Sequence, residues 1–351
     1  MDSPRTSRPE IARWTPAEPG QWSALVGKSE HANLAHAPEW FGVIQSAYGH
    51  TPLYLQAEGT NGHLAVLPAF LLRSRIFGTV VASMPFLDGG GPCSTDVDLD
   101  KVVVGALIEE AARLGARMVE LRSTVELDLP VPALRNKFNL VRNLPKDADG
   151  LWRRLDAKVR NQVRKAERSG LSVEFGHREA LNAFYDVFAV NMRDLGSPVH
   201  GRALFAAILE SFGDRARIAL VRRGSSVIGG LVALMFKDTL VVPWASSLRQ
   251  YFTLCPNVLL YWETLALACR EGFSRFDFGR SSRDSGTYRF KRQWGAEEVP
   301  LYHYLVPMRA GREPSLSPGG SRAALLVALW SRLPVAVTRW IGPPVRKHLT
   351  Q

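Results

Sequence analysis

Residues Phe276–Gly295 read FDFGRSSRDSGTYRFKRQWG, and this stretch carries the fold prediction. Apolar and polar residues alternate at its start, which predicts the end of a half-buried strand. The Gly/Ser/Arg/Asp run from Gly279 to Gly286 predicts a loop. Cations then follow among large aromatic residues, and such cations could form an anion or oxyanion site at the end of a strand. The alternative is an amphipathic segment whose aromatic side chains pack inward while its charges face water.

The run Gly286–Gly295 (GTYRFKRQWG) resembles the FK-x-x-[FW]-G signature of the FemAB family, and more narrowly the FemAB-like proteins associated with the PEP-CTERM/exosortase system. A second stretch, Lys158–Ala166, resembles the K-x-R-N-x-x-R-K-A segment of that family. The resemblance extends over Glu30 to Pro307. It implies an α/β fold of tandem GNAT-like (acetyltransferase) domains, with mixed central sheets flanked by helices. It also implies transfer of an acyl or aminoacyl group to an amine.

Composition and charge bound the class of protein. The chain has 351 residues, of which 46% are hydrophobic and 22% charged, as expected for a globular protein of two domains. The net charge of +11 favours an anionic partner: nucleic acid, a phosphorylated small molecule or an anionic membrane surface. The three cysteines are far apart in the sequence, so neither a disulfide framework nor a zinc site is predicted.

The sequence predicts a cytoplasmic protein, with the inner face of the membrane as a second location. Its start lacks the apolar segment of a signal peptide, and no run of about 18 apolar residues predicts a spanning helix. The predicted organisation is a disordered N-terminus at 1–20, an N-terminal GNAT-like domain at 21–148, a C-terminal GNAT-like domain at 149–308, and a linker with a basic amphipathic tail at 309–351.

The first domain contains short elements with clear signals. The sequence predicts a helix entered at Pro38, paired strands at 53–57 and 63–67, a strand at 80–86, a helix at 101–114 and a strand at 118–122. Gly89–Gly91 follows one of these strands. Its backbone N–H groups could cradle an anion, or the glycines could make a tight turn before the next helix.

A basic helix is predicted from Leu151 to Gly170, where the two domains would join. Its apolar residues recur at helical spacing, and seven of its residues are Lys or Arg. This imbalance indicates either an anion-binding surface or a solvated helix face. By resemblance to the family segment, the substrate-binding candidates here are Lys158, Arg160, Asn161, Arg164 and Lys165.

The second domain repeats the outline of the first. The sequence predicts helices at 181–193 and 203–212, then strands at 217–221, 227–236 and 239–244. Pro243 cannot donate to a strand ladder, so the third strand is expected to end or bulge there. Trp244, just beyond it, either faces a cleft or packs in the core.

The helix predicted to begin at Pro256 and end near Arg270 lacks a glycine-rich entry. Acetyltransferases that bind coenzyme A usually place a [QR]-x-x-G-x-[GA] loop before this helix, where N–H groups meet the pyrophosphate. The region here, 249–256, reads RQYFTLCP. Acetyl-CoA and aminoacyl-tRNA therefore both remain candidate acyl donors, and no metal is expected.

Amide formation requires alignment of donor and acceptor, stabilisation of the oxyanion and removal of a proton. By resemblance, Lys291 stabilises the oxyanion. Tyr288 and Arg280 could hold the acceptor or a phosphate near it, and Tyr288 is counted with the catalytic residues. Asp277 either serves as base or orienting group, or caps the loop that follows it. No spacing of Ser/His/Asp or Cys/His predicts a nucleophile.

Three functions remain open. The first is an N-acyltransferase acting on an amine of a sugar or of a cell-envelope or exopolysaccharide precursor, with an anionic or lipid-linked substrate and tRNA as a candidate donor partner. The second is an inactive GNAT-like module that binds anionic glycolipid or nucleic acid. The third is nonspecific nucleic-acid binding, which would depend steeply on salt. The tail, with its tryptophans and cations, either contacts a membrane interface or docks on the protein itself.

Overall fold

The computed structural model describes residues 9–17, 20–75, 77–283, 285–308 and 321–350. Contacts divide the chain into two units. Unit 1 comprises Met1–Lys137, Pro300–Pro314 and His348–Gln351, and unit 2 comprises Phe138–Val299 and Ser315–Lys347. This division falls at residues 137 and 299, whereas the sequence predicts domain ends at 148 and 308.

The strands, in chain order, are β1 (Glu10–Arg13), β2 (Thr51–Pro52), β3 (Leu55–Glu58), β4 (Leu64–Leu67), β5 (Phe70–Ser74), β6 (Gly78–Ala82), β7 (Cys93–Ser94), β8 (Met118–Ser123), β9 (Leu134–Asn143), β10 (Leu171–Gly176), β11 (Ala216–Arg223), β12 (Ser226–Phe236), β13 (Thr239–Ser247), β14 (Arg275–Ser281) and β15 (Glu297–Pro307). The α-helices are α1 (Gly20–Lys28), α2 (Trp40–Tyr48), α3 (Val97–Arg113), α4 (Ala148–Arg154), α5 (Ala157–Arg168), α6 (Leu181–Asp194), α7 (Arg202–Phe212), α8 (Pro256–Arg270), α9 (Gly286–Arg292), α10 (Ser321–Trp330) and α11 (Val335–Arg346).

Unit 1 contains two groups of strands. The first is an antiparallel sheet in the order β1-β3-β4-β7, and the second runs in the order β15-β8-β6-β5-β2, with β6 and β8 parallel. Helix α3 packs on β3 and β4. It buries Leu99, Val103 and Leu107 at helical spacing in one apolar core.

The sheet of unit 2 has helices on both faces. Its strands run in the order β10-β11-β12-β13-β14-β9, with β13 and β14 parallel and the other neighbours antiparallel. Alternate residues of β11, Ala219 and Val221, share a core with α8 and α5. On the other face, Gly230 lies against Phe184 of α6. A sheet covered on both faces explains why β12 is apolar nearly throughout.

The long basic helix predicted at 151–170 is wrong as a single element. The structure has α4, then an extended Leu155 (ψ 146°), then α5. Leu155 is buried in the same core as Leu151, so its side chain serves the apolar stripe although its backbone is not helical. Arg160 donates to the carbonyl oxygens of Trp152 and Arg153, which lie at the end of α4.

Two expectations for unit 1 are also corrected. The N-terminus is not disordered throughout, because Glu10–Arg13 pairs with β3 and Trp14 is buried; residues 1–8 and 18–19 lie outside the described residues. The strand predicted at 80–86 ends at Ala82, because Met84 (φ 45°) and Phe86 (φ 75°) adopt positive φ.

Gly89–Gly91 is buried, which favours the interpretation as a packed turn over an anion-binding nest. A Cβ on Gly89 would lie 2.7 Å from the Asn33 amide, and one on Gly90 would lie 2.7 Å from the Met84 side chain. These glycines therefore permit close packing of neighbouring segments.

The tail forms two helices, α10 and α11. The first part of the linker and tail predicted at 309–351, residues 309–320, lies outside the described residues. None of the helices in the described ranges is both long enough and apolar enough to cross a membrane.

Candidate active site

The strands β13 and β14 pair over only a few residues and then part. Val241 lies opposite Asp277 at the last pair. Beyond it, β13 follows β12 through an irregularity of register around Val242 and Pro243, and β14 follows β9 through one between Asp277 and Arg280. The bulge predicted at Pro243 is thus confirmed. Backbone groups on the facing edges of such a gap can hydrogen-bond an extended ligand.

Gly279 lies in the irregular part of β14, and its peptide groups are held from two sides. Its N–H donates to Asp277 Oδ1 at 2.7 Å, and its carbonyl oxygen accepts from Lys291 Nζ at 3.0 Å. Gly279 has φ 73°, a conformation that glycine adopts without strain. The loop predicted from Gly279 onward is therefore shorter, since β14 continues to Ser281.

Lys291 projects from α9 and is 9% exposed. Its ammonium also donates to the carbonyl oxygen of Arg280 at 2.8 Å. Ser285 caps α9 by accepting the backbone N–H of Tyr288, and this cap fixes where the helix begins. The structure thus brings Lys291, Asp277 and the backbone of Arg280 together at the point where the two strands part.

The aromatic residues of this stretch pack inward. Phe276, Phe278 and Trp294 belong to the core of unit 2. Phe290 meets the rings of Tyr261 and Trp294 edge to face, at 5.2 and 6.2 Å between centroids. The alternative that the aromatic side chains pack inward is therefore right. Its second part, that the charges face water, does not hold for Lys291, which is buried among the aromatic residues.

Tyr288 lies away from the Gly279 peptide and is bonded to a carboxylate. Its hydroxyl donates to Glu298 Oε1, and Arg283 donates to the same carboxylate at 2.7 Å. The bond to Glu298 raises the pKa of the Tyr288 hydroxyl, and the bond from Arg283 lowers the pKa of the Glu298 carboxyl. Sequence reasoning missed Glu298, since its link to Tyr288 is a tertiary contact without a local pattern.

The start of α8 lies beyond the carboxyl end of β13. Residues Arg249–Leu254 form a 3₁₀ helix, and Cys255 (φ 59°) enters α8 in the left-handed conformation. Ser247 at the end of β13 donates to the amide oxygen of Asn257 in the first turn of α8. The glycine-rich entry missing from the sequence is therefore replaced by this compact turn, while the helix N-terminus keeps its positive dipole.

The five candidate residues of α5, four basic and one asparagine, divide into two groups. The exposed members, Lys158, Asn161, Arg164 and Lys165, lie on the face opposite to the buried Val159, Val163 and Ala166. Arg160, in contrast, bonds to the end of α4, and the Arg164 guanidinium lies 5.6 Å from the Trp152 ring. The exposed group could bind an anion, and Arg160 has a structural contact.

Trp244 packs in the aromatic core rather than standing alone in a cleft. Its ring meets Phe205 at 5.4 Å and His200 at 6.1 Å, both edge to face. His200 is buried, and Arg346 donates to its Nε2 at 3.0 Å. Burial, with the nearby Arg346 charge, holds the pKa of His200 well below its usual value.

The part of the chain that the structure describes contains no group of three or more His, Cys, Asp or Glu side chains placed to hold a metal ion. Cys93, Cys255 and Cys269 form no disulfide with one another.

Comparison with known families assigns a domain type to most of unit 2. Residues 153–292 match the family model described as an acetyltransferase (GNAT) domain. This range includes the Gly279 peptide, Lys291 and the start of α8. No curated protein sequence matches the chain significantly.

Solved structures match over most of the chain at low sequence identity. The crystal structure of FemX is 14% identical and has a TM-score of 0.62, with 85% of this chain and 97% of that chain covered. A tandem GNAT protein from the clavulanic acid biosynthesis pathway is 12% identical and has a TM-score of 0.53, covering 87% and 100%. The C-terminal domain of a proposed lysylphosphatidylglycerol synthetase from Agrobacterium fabrum is 11% identical and has a TM-score of 0.55, covering 89% and 95%.

These similarities confirm the predicted fold class, tandem GNAT-like domains with mixed sheets flanked by helices. The similarity to FemX agrees with the resemblance to the FemAB family at the level of structure. The narrower PEP-CTERM/exosortase-associated type stays a prediction.

Proposed function

We propose that unit 2 is an N-acyltransferase that joins an acyl group to an amine. The observation that carries this proposal is the gap between β13 and β14, which opens beside a glycine peptide held by Asp277 and Lys291. The match of residues 153–292 to a GNAT domain supports it. An extended donor could lie along the strand edges with its reactive carbonyl near the Lys291 charge.

In the proposed reaction, the amine nitrogen attacks the acyl carbonyl carbon and forms the C–N bond. The bond from that carbon to sulfur or oxygen of the donor breaks, and the leaving group takes up a proton. The nitrogen loses a proton, and Asp277 is the proposed acceptor, directly or through water. Lys291 supplies positive charge near the developing oxyanion, in a site where burial strengthens electrostatic interactions.

A thioester of coenzyme A is the donor that the geometry of unit 2 supports best. Its extended amide-containing arm suits the backbone edges past Pro243 and Gly279. The N-terminus of α8, with Asn257 held by Ser247, suits its phosphates. The missing glycine loop weakens this fit without removing the helix dipole. Aminoacyl-tRNA is the second donor candidate, and the exposed cations of α5 are the surface that would bind its phosphates.

The proposed acceptor is an amine on a sugar or on a cell-envelope or exopolysaccharide precursor. This part of the proposal rests on the resemblance to the FemAB family. Arg280 follows Gly279 in β14 and could bind an anionic group on such an acceptor. Tyr288, bonded to Glu298, is better placed to position Arg283 than to take part in proton transfer.

The experiment that tests this function is a binding measurement with purified protein at physiological salt. We expect saturable binding of acetyl-CoA that coenzyme A displaces. Preference for a charged over an uncharged tRNA would instead make the protein an aminoacyl transferase. If neither donor binds, the acyltransferase proposal fails for these donors.

The inactive-module alternative is tested in the same series. An inactive module that binds anionic glycolipid or nucleic acid needs no lysine at position 291. Its ligand binding would survive Lys291→Ala and would weaken when the exposed cations of α5 are changed. An acyltransferase instead loses turnover with Lys291→Ala.

A further inference from the structure

The tail helices α10 and α11 are attached to unit 2 along one side only. Val327 of α10 lies against Gly196, and Arg193 donates to the carbonyl oxygen of Leu333 at 3.2 Å. In α11, Thr338 and Gly342 are buried, and Gly342 lies against Val199. Arg339 forms an ion pair with Asp186 of α6. The tail therefore docks on its own protein, as one of the two sequence interpretations expected.

The opposite side of each tail helix is apolar and exposed. At about 100° per residue, Leu325 and Leu329 project away from the Val327 contact, and Trp340 projects away from Thr338 and Gly342. Leu325 is 59% exposed, Leu329 52% and Trp340 81%. Leu326, Val337 and the exposed Ala336 and Pro344 extend this apolar side. We call Leu325, Leu329 and Trp340 the outward apolar side.

Within the tail sequence the charges have one sign, although Arg339 and Arg346 are bonded to Asp186 and His200 of unit 2. From Arg322 to Thr350 the sequence contains five Lys or Arg residues and no Asp or Glu. Arg332 is exposed in the turn between the two helices, and Lys347 follows α11 directly. Leucines and a tryptophan flanked by cations are the composition that binds at the interface of an anionic bilayer.

We propose that the outward apolar side and its flanking cations bind the surface of a membrane that contains anionic phospholipid. The apolar side chains enter the boundary between headgroups and acyl chains, while the cations meet lipid phosphates. A helix of ten residues is about 15 Å long, so the contact is peripheral. An apolar face flanked by cations fits an anionic lipid surface better than it fits a second copy of this basic chain, whose net charge is +11.

The inference does not depend on the acyl-transfer chemistry, and the two can fail separately. The test is sedimentation of the full chain with vesicles of phosphatidylcholine, with and without phosphatidylglycerol, at physiological salt. We expect binding to the anionic vesicles, and about tenfold weaker binding for the double variant Leu325→Glu/Leu329→Glu and for Trp340→Glu. Donor binding should be unchanged in both variants.

The matched control is Val97→Glu, which changes an exposed apolar residue (72% exposed) of unit 1. It should bind anionic vesicles like the parent protein. Equal binding by parent and tail variants, equal binding to vesicles without phosphatidylglycerol, or no vesicle binding at all would each overturn the proposal. A dimer that dissociates in the tail variants, without vesicle binding, would assign the surface to a second copy instead. Circular dichroism and thermal melting check that each variant is folded.

Discussion

Lys291 and Asp277 bond to the two sides of one glycine residue, and this arrangement determines how their roles can be separated. Lys291 donates to two backbone carbonyl oxygens, so its removal leaves polar groups without their partner in a largely buried place. The side chain is only 9% exposed, so its truncation should cost stability.

For Lys291→Ala we therefore expect two separate losses. The free energy of unfolding should fall by about 1–3 kcal/mol, because the carbonyl groups of Gly279 and Arg280 lose a charged donor. Turnover should fall by about 10²–10³-fold at a temperature where the variant is folded, because the developing oxyanion is no longer stabilised by the Lys291 charge. Urea unfolding and release of coenzyme A measure the two quantities. Lys101→Ala, at an exposed lysine of unit 1, is the control, and unchanged turnover in Lys291→Ala would refute the role.

The variant Asp277→Asn distinguishes the two possible roles of Asp277, as a catalytic base and as the acceptor of the Gly279 N–H. The amide oxygen of asparagine can accept the Gly279 N–H as the carboxylate does, so the melting temperature should stay close to that of the parent. The variant cannot accept the proton of the amine, so turnover should be lost. Asp277→Ala should lose about 1 kcal/mol of stability as well. Full turnover in Asp277→Asn would leave this residue with its structural role alone.

At the scale of elements, the gap depends on a line of contacts from β12 to α8. Gly229 of β12 lies against Ser247, and Ser247 holds Asn257 at the start of α8. A side chain at position 229 would therefore displace the residue that positions the helix N-terminus.

We expect Gly229→Ala to weaken donor binding and to destabilise unit 2 together. The new Cβ would overlap Ser247 Oγ and lie 2.7 Å from Val221 Cγ1, a degree of overpacking that costs about 1–3 kcal/mol. Gly105→Ala in α3 is the matched control, since its Cβ meets nothing within 4 Å, and it should be neutral or stabilising. Calorimetric titration with acetyl-CoA and thermal melting provide the readouts. If Gly229→Ala binds acetyl-CoA like the parent protein, packing at this position of β12 does not affect the donor site.

Helices and strands were predictable from the sequence where several local signals agree. The α8 helix was predicted from Pro256 to near Arg270, as found, because proline marks its entry and a glycine follows its end. The hairpin of β11 and β12 was predicted from apolar runs around a turn that contains Gly224. In contrast, β9 and β10 were missed, since they are half-exposed and mix polar with apolar residues. Their pairing partners are distant in sequence, and only the tertiary fold assigns them.

The sequence predicted which residues belong to the site, but it did not predict the contacts that they make. The FemAB-like motif indicated Lys291, but its burial and its two carbonyl partners depend on how β14 bends at Gly279. The break between α4 and α5 was missed because Leu155 continues the apolar stripe by burial in the core. Periodicity reports which side chains are buried and does not report whether the backbone between them stays helical.

At the scale of the whole molecule, stability should depend on acidity through His200. The pKa of His200 lies well below 6.5 in the folded protein, because the ring is buried beside Arg346. Below pH 6.5 the unfolded chain binds a proton at this residue that the folded protein does not bind. The free energy of unfolding should therefore fall as pH drops below about 6.5, by at most about 1.4 kcal/mol per pH unit from this group.

Urea unfolding midpoints at pH 8, 6.5 and 5 would measure this dependence, with His200→Gln as the comparison. Glutamine can accept from Arg346 and does not titrate, so its midpoint should fall less over the same range. Equal slopes for parent and variant would contradict the assignment. The Glu120 carboxyl, whose pKa the Arg122 guanidinium helps to lower to about 2, should add its own loss only between about pH 4.5 and 2.

The short segment from Gly196 to Gly201 has neighbours on two sides. Both tail helices rest on it, through Val327 and through Gly342, and within it His200 lies against Trp244 of β13. A shift of the tail helices would therefore also change the contacts of β13, which borders the gap. Thermodynamic linkage then acts equally in both directions. If binding to a membrane surface changes the affinity for the acyl donor by some factor, the donor changes the affinity for that surface by the same factor.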